Sequence, residues 1–135
     1  MNDAQRMVEA FHRQFEIAVA DAPSVPDAAT RTLRLRLIQE EFEELQQALA
    51  EDDLHGLAKE LADLLYVVYG TAVSCGIDME PVFREVHRSN MSKVGGHKRA
   101  DGKWVKPPTY SPADVGPILA AQECERRTEI VEQPS

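Results

Sequence analysis

The sequence predicts an all-α protein, a helical bundle of four to five helices whose four-helix core is completed by oligomerisation. Three observations carry this reading. Apolar residues recur at three- and four-residue steps through most of the chain before Ser92. Residues that start helices precede each periodic run, and glycines or turn residues follow it. No alternating apolar and polar run is long enough to argue for a strand.

Taken in order, Met7, Val8, Phe11, Phe15 and Ala18 place an amphipathic helix over about Ala4 to Val19. Asp21 to Asp27 holds Pro23, Ser24 and Pro26 and reads as a loop. A second helix runs from about Ala28 to Ala50. Glu51-Asp52-Asp53 then forms a turn whose aspartates can cap a third helix, Leu54 to Cys75, which ends near Gly76. Asp78 caps a fourth helix that tolerates Pro81 in its first turn and reaches about Met91. Ser92 to Tyr110, with its paired glycines, paired prolines and several lysines, is a long loop of the kind that carries function. Ser111-Pro112-Ala113-Asp114 looks like another helix start, with Pro112 at the first helical position. One domain over residues 1–122 is expected, followed by a polar tail, 123–135, that frays.

Composition narrows the function. A chain of 135 residues can bury a core without staples. Cys75 and Cys124 show no metal-ligand spacing, and Cys75 reads as a small buried hydrophobe, so a reducing cytoplasm is the default. The net charge of −8 argues against a general nucleic-acid binder. It does not exclude a nucleotide, because clustered acids bind a phosphate chain through a divalent cation.

The acids fall in an unusual place. On the second helix, Leu33, Leu37, Ile38, Phe42, Leu45 and Leu49 fill half the circle, and Glu41 and Glu44 lie inside that apolar half. Glu43 belongs to the polar half and Glu40 to the border. Arg34 also falls in the apolar arc, where it can serve as a counter-charge or phosphate contact. On the third helix, Asp63 is the only charged residue between Leu61 and Ile77, and Glu60 shares its face. A carboxylate removed from water costs several kcal/mol unless it is paired or binds metal. Two i,i+3 pairs on neighbouring antiparallel helices, with few basic residues nearby, call for a hard divalent cation.

These residues resemble a known family. Glu40-Glu41-Phe42-Glu43-Glu44 followed by Glu60-Leu61-Ala62-Asp63 matches the EExxE…ExxD signature of the all-α nucleoside triphosphate pyrophosphohydrolases, a superfamily that includes MazG-like proteins, dimeric dUTPases and phosphoribosyl-ATP pyrophosphohydrolase. The resemblance covers roughly Phe11 to Tyr110. It implies that Glu41, Glu44, Glu60 and Asp63 bind Mg²⁺, with Mn²⁺ a possible substitute, and that Glu40 orients or deprotonates the attacking water. Asn90-Met91-Ser92-Lys93 resembles the family's N-x-x-K, whose Asn and Lys contact nucleotide. The K-x-x-x-R of MazG proper is absent after Lys93, so phosphate contacts fall to Lys103 and Lys106 in the Asp101 to Pro107 run. Phe11 and His12 are the candidates for holding a base, with Phe15 assigned to the core. Trp104 is an exposed aromatic that covers ligand or packs on a partner.

The expected reaction is hydrolysis of a (deoxy)nucleoside triphosphate to monophosphate and pyrophosphate, a house-cleaning activity on the nucleotide pool. The alternatives are a phosphoribosyl-ATP pyrophosphohydrolase of histidine synthesis and a non-catalytic helical interaction module. A di-iron bundle would need two Glu-x-x-His motifs, and a single such spacing occurs, at Glu9 and His12. A third helix apolar nearly all round lacks enough partners within one chain, so a homodimer or dimer of dimers is expected.

Overall fold

The computed structural model describes residues 1–132. The chain is all-α, apart from one two-residue ladder, and runs α1 (Asp3–Gln14), α2 (Ala28–Ala50), α3 (Leu54–Cys75), α4 (Met79–Met91), β1 (His97–Lys98), β2 (Trp104–Val105) and α5 (Gly116–Glu132). The bounds of α2 and α3 follow the chemistry of their ends. The side chain of Asp27 accepts from the amide of Thr30, and that of Asp53 from the amide of Gly56. Gly76 closes α3 in the left-handed region at φ 67°, where an added Cβ would meet the carbonyl of Ala22. Asp78 caps α4 by accepting from Glu80 N, and the axis turns by 114° between α3 and α4.

The second and third helices pack as an antiparallel pair. Arg34 of α2 reaches Val67 and Thr71 of α3, while Glu41 lies beside Glu60 and Asp63. Helix α1 lies on the C-terminal half of α3, where Gly70, Ala72, Val73 and Ser74 are buried and small enough to admit it. The buried Gln5 of α1 ties the turn after α3, donating to Ile77 O at 2.7 Å and accepting from Met79 N at 3.0 Å.

Helix α1 stops earlier than its periodicity predicts. The chain reverses at Glu16, which takes φ 55°, and Ile17 N donates back to His12 O. Ala18 O then receives both His12 Nδ1 and Ser74 Oγ, so the residues expected to extend the helix instead lie along α3. The start of α5 also differs. Ser111 N donates to Ser92 Oγ, Arg88 donates to Pro112 O, and Asp114 N donates to Glu85 Oε1. With its backbone committed to α4, this segment is not helical and the helix begins at Gly116, with Pro117 in its first turn. It runs on to Glu132, through residues expected to fray; positions 133–135 of that expected tail lie outside the described residues. The loop after α4 carries a small hairpin that the sequence did not signal, with His97 opposite Val105 and Lys98 opposite Trp104.

The core of one chain is thin. Val8, Ala48, Ala72 and Val73 are the buried hydrophobic residues among those described, while Leu35, Leu49 and Leu65 are 69%, 60% and 57% exposed. Phe15, expected in the core, is 62% exposed, because the helix ends beneath it. No single described helix is long and apolar enough to cross a membrane.

Candidate metal centre

The i,i+3 spacing on two antiparallel helices brings the acids together. Glu41, Glu60 and Asp63 each offer a carboxylate oxygen, and the three oxygens lie within 4.8 Å of one another. Glu41 Oε2 and Glu60 Oε2 are buried and have no hydrogen-bond partner. Orphaned buried polar atoms are rare and each needs an explanation. Burial first, then the negative charges of Glu44, Asp63 and Glu60, push the Glu41 carboxyl above its ordinary range. Glu44 is thus close enough to act on Glu41, though it is exposed and not within the tight group of three.

One residue that sequence reasoning passed over sits on this group. Lys59 Nζ lies 2.6 Å from Asp63 Oδ2 and 3.3 Å from Glu60 Oε1. The hydrogen bond it donates to Asp63, then the one it donates to Glu60, raises its pKa. The expectation that the protein supplies too little positive charge nearby is therefore corrected in part. The i,i+4 step from Lys59 to Asp63 was the available signal. The lysine is exposed and does not reach those two oxygens. An all-oxygen donor set with two buried oxygens left unpartnered fits a hard divalent cation.

Glu40 stands outside this group. It is exposed and its closest basic partner is Arg36, at 3.9 Å. Glu43 faces solvent as expected and accepts from Gln39 at 3.1 Å.

A model of the phosphoribosyl-ATP pyrophosphohydrolase family matches residues 8–90, more than half of the chain and all of the acid cluster. The chain belongs to this family. No curated protein matches it. Family membership makes the chain a pyrophosphohydrolase that acts on a nucleotide; the family is typically metal-dependent, and the chain carries a cluster of acidic residues. It does not distinguish a nucleoside triphosphate from phosphoribosyl-ATP.

In this pyrophosphohydrolase a second cluster forms around Tyr110, which sequence reasoning did not single out. Lys106 Nζ lies 4.5 Å and Lys93 Nζ 5.8 Å from the centre of its ring. Lys93 donates to Asn90 Oδ1 at 2.7 Å. Ser89 donates to the phenol at 3.2 Å, the first cause of its lowered pKa, and the two lysines add to it. Asn90, Lys93 and Lys106 are therefore neighbours, whereas Lys103 sits on the exposed hairpin turn with its backbone bonded to Arg99 and Asp101. Trp104 folds back, and its indole donates to Lys93 O at 2.7 Å.

The two first-helix candidates separate. Phe11 is 38% exposed and meets Tyr66 edge-on at 5.5 Å, one turn of α3 beyond Asp63. His12 is 1% exposed and its Nδ1 is 3.0 Å from Ala18 O. Burial lowers its pKa. It is an interior residue, its ring closed off from solvent and bonded to backbone.

Proposed function

We propose that this pyrophosphohydrolase cleaves (deoxy)nucleoside triphosphates to the monophosphate and pyrophosphate, with Mg²⁺ held by Glu41, Glu44, Glu60 and Asp63 and Mn²⁺ as a substitute. The observation that carries this is the group of three carboxylates with two buried, unpartnered oxygens. A bound divalent cation supplies charge neutralisation of phosphate oxygens and polarises water. The protein's own residues do the rest. Glu41 and Glu60 direct lone pairs into the site, and Asp63 must exchange Lys59 for the cation. Glu40, held only by its long contact to Arg36, accepts a proton from water as the water oxygen bonds to the α-phosphorus and the bond to the bridging oxygen breaks, releasing pyrophosphate. Lys93 and Lys106, with Asn90 on the last turn of α4 accepting from Lys93, compensate charge on the phosphates, and Lys103 joins them from the hairpin. Phe11, beside Tyr66, offers a face to the base.

The family's name favours a second reading, phosphoribosyl-ATP as substrate. The exposed apolar residues of α2 and α3, Leu49 and Leu65 among them, support assembly as a homodimer or dimer of dimers. A cytoplasmic location is part of the same proposal. The test is pyrophosphate release with Mg²⁺ from a panel of nucleoside triphosphates and phosphoribosyl-ATP. Cleavage of one or more triphosphates is expected; cleavage of phosphoribosyl-ATP alone establishes the second reading, and cleavage of neither overturns both.

A further inference from the structure

Two turns before Glu41 on α2, about 10 Å along the helix axis, Arg34 presents a buried charge of the opposite sign. It is 5% exposed. Its Nε donates to Thr71 Oγ1 at 3.3 Å, and one terminal nitrogen donates to Val67 O at 2.9 Å. Both acceptors are neutral. Among the described residues no carboxylate pairs with it; the ionisable groups that face it are His12 and Cys75. Neither supplies a negative charge. His12 uses its Nδ1–H on Ala18 O, so Nε2 carries a lone pair beside the guanidinium, and burial raises the Cys75 thiol. The arrangement is built: a Cβ on Gly70 would collide with both the guanidinium and His12 Nε2.

A desolvated guanidinium without a counter-charge is costly, and Arg34 lines an open cavity of about 700 Å³. Its other walls are largely apolar, with Val25, Leu35, Ile38, Leu119 and Ala120 among them, and Arg31 adds a second positive charge. The lone acid on its lining, Glu123, is engaged by Arg127 at 2.7 Å. A volume in the range of small-molecule sites, apolar walls and a buried cation together define a ligand chemistry. We propose that this cavity binds an amphiphilic monoanion, a carboxylate on an apolar body, with the carboxylate on Arg34 and the body against Leu35 and Leu119. The site is separate from the acid cluster, whose charge would repel such a ligand.

Calorimetric titration of the full chain with octanoate and with octan-1-ol tests this. One octanoate per chain is expected, with octan-1-ol at least about tenfold weaker, because only the anion gains charge-assisted hydrogen bonds. Arg34→Gln should bring octanoate down to the level of the alcohol. Ala120→Trp, which fills the mouth from the exposed side of α5, should abolish octanoate binding while keeping the melting temperature and pyrophosphate release, so the test survives if Arg34→Gln does not fold. Equal binding of acid and alcohol, no octanoate binding, unchanged binding by Ala120→Trp, or displacement of octanoate by nucleotide overturns the proposal.

Discussion

The two ends of the α2–α3 pair bury opposite charges and handle them in different ways. At one end, Arg34 gives its donors to a hydroxyl and a backbone carbonyl, with Gly70 clearing the space. At the other, Glu41 and Glu60 keep an oxygen each with no partner, and further acids crowd around them. The same helices, seven residues apart on α2, thus hold a cation whose donors meet neutral acceptors and an acid that keeps an oxygen with no partner at all. A donor can borrow backbone carbonyls inside a helix pair, because each carbonyl has a second lone pair. An acceptor cannot borrow amides there, because those amides are spent within the helices. An acid cluster in such a place therefore has to be completed from outside.

The sharpest way to break this contrast is at the acid end. Glu41→Gln or Asp63→Asn should lower pyrophosphate release about 100-fold or more, the loss expected when charge compensation worth several kcal/mol goes. Stability should move the other way. In metal-free protein, Glu41→Gln removes a buried charge from among like charges, and the melting temperature should rise by about 2–5 °C. Mg²⁺ should raise the melting temperature of wild type and leave that of the variant unmoved. A variant that keeps its full rate, or that melts lower without metal, would show that these carboxylates are structural.

At the other end, Gly70→Ala should destabilise by about 1–3 kcal/mol, as overpacking does. An alanine in a helix interior normally gains up to about 1 kcal/mol over glycine, so the sign of the change in the urea midpoint decides. Stabilisation would mean that Arg34 and His12 can move aside.

The contrast also marks what the sequence made legible. Helical periodicity and capping aspartates located α2, α3 and α4 to the residue, because those signals are local. The acids on the apolar arc were legible for the same reason: a face is fixed by spacing alone. What failed was set by partners distant in sequence. Phe15 and His12 exchanged places, exposed for buried, because Ala18 is drawn back onto Ser74 and ends α1 early. The start of α5 moved because Glu85 and Ser92 hold the backbone of 111–114. Tyr110 could not be anticipated as the ring shared by Lys93 and Lys106, since a loop's return path has no period to read.

A smaller effect sharpens the acid end. Lys59 lies on Asp63 and Glu60, where it would compete with the proposed cation. Lys59→Met should tighten Mg²⁺ binding about two- to five-fold by calorimetry, the scale of an exposed ion pair, and the gain should shrink as salt is raised. Weaker binding would mean that Lys59 organises the ligands instead of competing with metal.

The smallest effect concerns the arm that carries Lys93 and Lys106. Glu85 joins α4 to this arm, accepting from Arg88 and from Asp114 N, and these bonds hold its pKa down to about 2 against an ordinary 4.5. A folded pKa below the unfolded one gives a contribution that is full above the ordinary value and is lost as pH falls through the window from 4.5 to about 2. The difference in melting temperature between wild type and Glu85→Gln should therefore be constant above that window and close within it. Because Glu85 is exposed, the difference is a degree or two at most by the usual scale of such pairs. A difference independent of pH would place the contribution of Glu85 in packing, and would leave the arm's attachment to the neutral bonds of Ser92 and Ser111.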